Sequence, residues 1–133
     1  MSDLRCKCIV LDVWKWEGLA MTGGTEPEFV GFARRLVGTG IEEAGSSKGR
    51  AYAKPGCPWL LWVESLDDVP ELAHEALHIT AGILEMRGLK HAAESEEAYT
   101  YTMEHILRHV LDRDGWQPAS AYMTNDDQGG SHD

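Results

Sequence analysis

Residues 65–88, SLDDVPELAHEALHITAGILEMRG, constrain the fold more than any other segment. Leu72, Ala76, Ile79, Ile83 and Met86 recur at helical spacing and form one apolar stripe. Both ends of the helix are marked. Asp67 or Asp68 can accept a hydrogen bond from the free N–H groups of the first turn, and Asp68 and Glu71 have capping-box spacing. Pro70 falls in the first turn, where its missing N–H costs little, and Gly88 supplies the stop. Such a helix must lay its stripe on apolar surface. The preceding run 58–64, PWLLWVE, offers that surface as a strand, with Pro58 at a strand start or an edge.

The rest of the chain predicts a small α+β domain over residues 1–123, with a mostly antiparallel sheet packed by helices. Residues 5–16, RCKCIVLDVWKW, read as a first strand, and 17–26, with Gly18, Gly23 and Gly24, as a loop. A helix is expected over 27–38 and a short strand around 50–53. The Gly- and Ser-rich stretch before that short strand does not satisfy the P-loop pattern. After a loop over 89–94, a second long helix is expected over 95–112, with Ser95 as cap and Ala98, Thr102, Ile106 and Val110 facing the core. The polar, Gly-rich stretch 124–133 is expected to be a disordered tail.

Charge and composition exclude some partners. The formal net charge of −10 disfavours nucleic-acid phosphates. No apolar run reaches the roughly 18 residues that a membrane span requires. The first residues show neither the basic start nor the apolar stretch of a signal peptide, so a cytoplasmic location is expected. Three cysteines, Cys6, Cys8 and Cys57, do not suggest a disulfide framework. Cys6 and Cys8 share a strand face, and buried or half-buried thiols are expected there, not a two-thiolate metal site. The five tryptophans are expected to pack core and sheet.

The long helix also carries His74-Glu75-Ala76-Leu77-His78, an H-E-x-x-H segment. Positions i and i+4 lie one turn apart on one helix face, so His74 and His78 can aim two imidazole nitrogens at one metal ion. Glu75 is offset by one residue, where it can border the ion as a general base without binding it. A catalytic zinc usually takes three protein ligands and leaves a fourth position for water. On the antiparallel second helix Glu97 is the candidate third ligand, with the adjacent Glu96 its competitor.

His-Glu-Ala-Leu-His followed by Ser95-Glu96-Glu97-Ala98-Tyr99-Thr100-Tyr101 resembles the zincin metallopeptidases of the Glu-ligand type, the gluzincins. It is also similar to the small one-domain zincin-like proteins encoded by phages and prophages. The resemblance covers roughly residues 50–111. It implies one zinc ion on His74, His78 and Glu97, with a peptide or protein as substrate. It implies hydrolysis in which Glu75 takes a proton from water and returns it to the leaving amine. It also implies an edge strand holding the extended substrate, a role for which the strand 58–64 stands in the right order. Where large gluzincins carry an Asp, four residues after the ligand Glu, this chain has Tyr101, a candidate hydrogen-bonding partner at the site. Tyr99, His91 and His105 are further candidates for stabilising the oxyanion. The metzincin continuation after His78 is absent.

The alternative is a non-catalytic binding or assembly module in which zinc staples two helices. A closed structural shell would then need a fourth protein ligand, for which Cys57, Asp67 and His91 are candidates. His105 and His109 also lie at i, i+4, but nothing like Glu75 accompanies them, and a surface pair is expected.

Overall fold

A computed structural model describes residues 3–38, 40–42 and 47–122. The expected tail lies outside the described residues. The fold is α+β: a mixed five-stranded sheet with helices on both faces. The strands are β1 (Arg5–Leu11), β2 (Trp16–Thr22), β3 (Gly49–Tyr52), β4 (Trp59–Val63) and β5 (Gln117–Pro118), in spatial order β3-β4-β2-β1-β5. Every neighbouring pair is antiparallel except β2 with β4. That parallel pair needs a crossover, and helix α1 (Glu26–Val37) lies within it.

Two cores sit on the two faces. Beneath α1, Phe29, Val30 and Ala33 pack on Cys6, Leu19, Met21, Leu60 and Trp62. On the other face lie α2 (Val69–Met86) and α3 (Glu96–Leu111). Leu72, Ala76, Ile79, Ile83, Ile106 and Val110 pack there on Ile9, Leu11, Ala20, Trp59, Leu61 and Val63. Every residue of β4 is buried because both of its faces are covered, which explains its unbroken apolar run. Of the stripe read from the sequence, only Met86 lies half-buried at the end of α2.

Capping follows the sequence closely for two helices. Thr25 and Glu28 form a capping box at α1, with Pro27 in the first turn. Asp68 caps α2 by accepting from the Glu71 N–H at 3.2 Å. At α3, Ser95 does not cap; its hydroxyl accepts from the Ala92 N–H and donates to the Lys90 carbonyl, closing a 3-10 turn over Ala93–Ser95. The C-terminal end of α3 is met by Lys7, buried on β1, whose Nζ donates to His109 O at 2.6 Å and Asp112 O at 3.0 Å.

Two expectations need correction. The expected strand 5–16 and loop 17–26 are instead a hairpin, β1 and β2, joined by a turn in which Lys15 takes φ 54°. Gly18 looks like loop punctuation in the sequence, yet it is buried in β2 opposite Trp59. A Cβ at Gly18 would lie inside the Trp59 indole, so the glycine is the space the ring occupies. The strand 58–64, expected at the edge, is the interior strand β4 between β3 and β2. β3 holds the edge.

The Gly18–Trp59 contact is testable. Gly18→Ala is expected to destabilise the fold by about 3 kcal/mol through overpacking, a fall of roughly 10 °C in Tm. Gly31→Ala is the control: it lies in α1 with nothing within 4 Å of its Cβ position, and should raise stability by about 0.7 kcal/mol. Thermal and urea unfolding of both variants measure this.

Candidate metal centre

The site is built by close approach of α2 to β3. Successive β3 side chains point to opposite faces. Arg50 turns toward the α1 side, where its Nη1 bonds the buried Glu26 Oε2 at 2.8 Å and the Glu42 carbonyl at 2.8 Å. Gly49, Ala51 and Ala53 face α2, where small residues let helix and strand approach. A Cβ at Gly49 would lie 2.8 Å from Glu71 Oε2 and 2.9 Å from Glu75 Cγ. At the other end, a Cβ at Gly82 would lie 3.1 Å from that of Ala53. The strand therefore runs alongside the helix in the same direction, from the level of Glu71 and Glu75 to that of Gly82.

Between them lies a cleft of about 390 Å³ that His74, Glu75 and His78 line. The two imidazoles are exposed, with Nε2 atoms 3.2 Å apart and rings edge to face. Two nitrogens bound at about 2.05 Å in a tetrahedral shell stand roughly 3.3 Å apart. The pair thus has the spacing of two ligands on one ion. The Glu75 carboxylate completes a group whose ligand atoms all lie within 4.8 Å of one another.

Glu75 is 6% exposed. Burial, then the hydrogen bond and negative charge of Glu71, push its carboxyl from 4.5 up to about 8, against the opposing pull of Arg50. Glu71 is the residue the sequence reading missed. It stands one turn before Glu75, so α2 reads Glu71-x-x-His74-Glu75-x-x-His78, and the i, i+4 spacing of the two acids was the available signal. Its side chain lies against Gly49 and Glu75, not back on the helix cap.

Glu96 and Glu97 do not belong to this group. Both are exposed in the first turn of α3. Tyr99, just beyond, donates to the Leu89 carbonyl at 3.1 Å, which puts this turn level with the far end of α2. α3 also packs on the flank of α2 toward β1, whereas the histidines face β3. The helix pair forms as expected, but its shared side is the core and not the cleft.

The other candidates are likewise elsewhere. Tyr101 is 49% exposed, edge-on to His105 at 6.2 Å between ring centres. His91 lies against the Tyr99 ring at 4.6 Å. His105 and His109 stack at 4.4 Å, with His109 Nδ1 donating to the His105 carbonyl at 2.9 Å. Burial and the neighbouring His109 lower the His105 pKa. Cys6 is buried under α1, its thiol pushed up to about 12 by burial, and Cys8 is exposed. Cys57 is half-buried and Asp67 exposed, and neither joins the group at His74.

The raised Glu75 pKa has a definite sign. Between pH 4.5 and about 8 the folded chain keeps a proton that the unfolded chain releases, so metal-free protein loses stability as pH rises through that window. Glu75→Gln keeps the shape and a donor without the charge. It should raise Tm of metal-free protein at pH 8 by several degrees and flatten the pH dependence above pH 4.5. Scanning calorimetry in chelator across pH 4–9 measures it, and an unchanged slope would refute the assignment.

Comparison with protein-family models, with curated proteins and with solved structures returned no match.

Proposed function

We propose that the chain is a zinc-dependent hydrolase, a peptidase of narrow specificity that cuts an extended polypeptide laid along β3. One observation carries this reading: two imidazole nitrogens 3.2 Å apart beside a buried carboxyl, in a cleft walled by an edge strand. His74 and His78 are the residues that would hold the ion. Zinc there would supply Lewis acidity and bring the pKa of a coordinated water to about 7.

The remaining work belongs to the chain. Glu75 accepts the proton of the attacking water and returns it to the departing amine. Burial and Glu71 raise the proton affinity of Glu75 in the metal-free chain, and an ion held beside it would draw that affinity back down, leaving a carboxylate able to take the proton and return it. Gly49 lets the two acids sit against the strand, so the base is fixed from one side by backbone. β3 pairs with β4 on one edge only, and among the described residues no strand covers the other. Its outward N–H and C=O groups can pair with substrate backbone and fix the scissile amide near Glu75. No described helix is long and apolar enough to cross a membrane.

The rival reading, a binding module with a non-catalytic ion, draws support from the position of Glu97. With α3 contributing no carboxylate to the group, Glu75 could serve as a ligand and no base would remain. The two readings differ at Glu75. Purified protein is expected to bind about one zinc per chain, and zinc at about 100 times Kd should stabilise it by roughly 2.7 kcal/mol. His74→Ala and His78→Ala should each abolish that stabilisation, and Glu97→Gln should leave it intact. Glu75→Gln should retain zinc while cleavage of a proteome-derived peptide library falls by at least about a hundredfold. Loss of zinc in Glu75→Gln would favour the binding module.

A further inference from the structure

The cleft beside the histidines is lined along α2 as far as Gly82. One helical turn on, Met86 faces the turn that follows β3, and there the molecule opens a second, larger pocket of about 560 Å³. Trp16, Pro55, Cys57, Pro58 and Met86 line it, and the charged Lys15, Glu17 and Arg87 border it as well. The walls are held in place. Trp16 Nε1 donates to the Cys57 carbonyl at 2.9 Å. Arg87 lies over the Trp16 ring at 5.7 Å and donates to the Trp14 carbonyl at 2.7 Å. Neither the metal centre nor the core accounts for this pocket.

Its distance from the histidines follows from the helix. His74 and His78 centre about ten residues before Met86, roughly 15 Å at 1.5 Å per residue. An extended chain covers that span in about four or five residues at ~3.3 Å each. Because β3 and α2 run alongside in one direction, a polypeptide following β3 past Ala53 arrives at the turn through Pro55 and Cys57, and the pocket lies beyond that turn toward the start of β2.

We propose that the pocket is a remote specificity subsite: it takes a bulky apolar side chain, preferably aromatic, four or five residues from the scissile bond. The inference rests on the peptidase reading above. An aromatic ring matches the walls because indole, proline rings and a thioether all pack favourably on its face or edge. The volume is ample for one such side chain.

Cys57 provides the means of closing the pocket without altering the fold. In a Cys8→Ser variant it is the accessible thiol among the described residues, since Cys6 is fully buried in the core. N-ethylmaleimide on Cys57 fills the space. The probes are mixed-sequence dodecapeptides with Phe, or Ala, fixed at each position in turn. Zinc-loaded protein is expected to cut the Phe sets four or five residues from the Phe, about tenfold faster than the Ala sets. Alkylation should erase that preference and leave the Ala sets unchanged. Cutting that ignores the position of Phe, or a preference that survives alkylation, overturns the subsite. If no set is cut, fluorescein-labelled Phe sets are titrated into zinc-loaded Glu75→Gln. Binding that alkylation abolishes keeps the pocket as a polypeptide site and removes only the peptidase reading. Absence of alkylation-sensitive binding removes the pocket as well.

Discussion

Close contact between α2 and β3 is the constraint on which the site depends. Gly49, Ala51 and Ala53 on the strand and Gly82 on the helix keep the gap narrow, and the helix carries Glu75 into it. A carboxyl pressed against backbone loses its water shell, and the neighbouring acid raises the cost of its charge further. The adjacent histidines escape that burial by one step of helical phase. His74 and His78 open to solvent while Glu75, between them in sequence, is buried. A single helix thereby offers two exposed imidazole nitrogens and a buried carboxyl to one cleft.

The sheet determines what the cleft can receive. Had β4 been the edge, as its Pro58 suggested, α2 would border a strand carrying Trp59, Leu61 and Val63 toward it, with no room for a ligand. β3 instead forms the margin, and toward α2 it presents only Gly49 and Ala51, with Ala53 just beyond. Trp59 and Trp62 lie on the interior strand β4, where Gly18 makes room for Trp59 and Trp62 stacks on Phe29 at 5.6 Å. Large side chains brace the sheet from within, and small ones face α2 at its edge.

The sequence made the helices and the paired histidines legible because local signals specify them. Caps, periodicity and the i, i+4 spacing of His74 and His78 act over a turn or two, so reading the chain recovers them. β2 was hidden because its Gly18 answers to a ring far along the chain, and only the sheet reveals that demand. Glu97 shows a different difficulty. Sequence supports an antiparallel helix pair, and the pair exists. Which flank of α2 receives α3 depends on where β1 lies in the sheet, and no local pattern encodes strand order. The same ignorance made β4 an edge and left β3 with only a suggested strand.

Glu71 brings these arguments together. At a helix start an acid is ordinarily explained by the dipole and the cap. Asp68 already performs the capping, which frees the Glu71 side chain to turn along the helix toward Glu75. The groove wall that admits it is Gly49, a residue with no side chain of its own. Capping, strand composition and the proton affinity of Glu75 are therefore linked through one contact. A change at Gly49 would reach the chemistry without touching a histidine, because any Cβ there must displace one of the two acids.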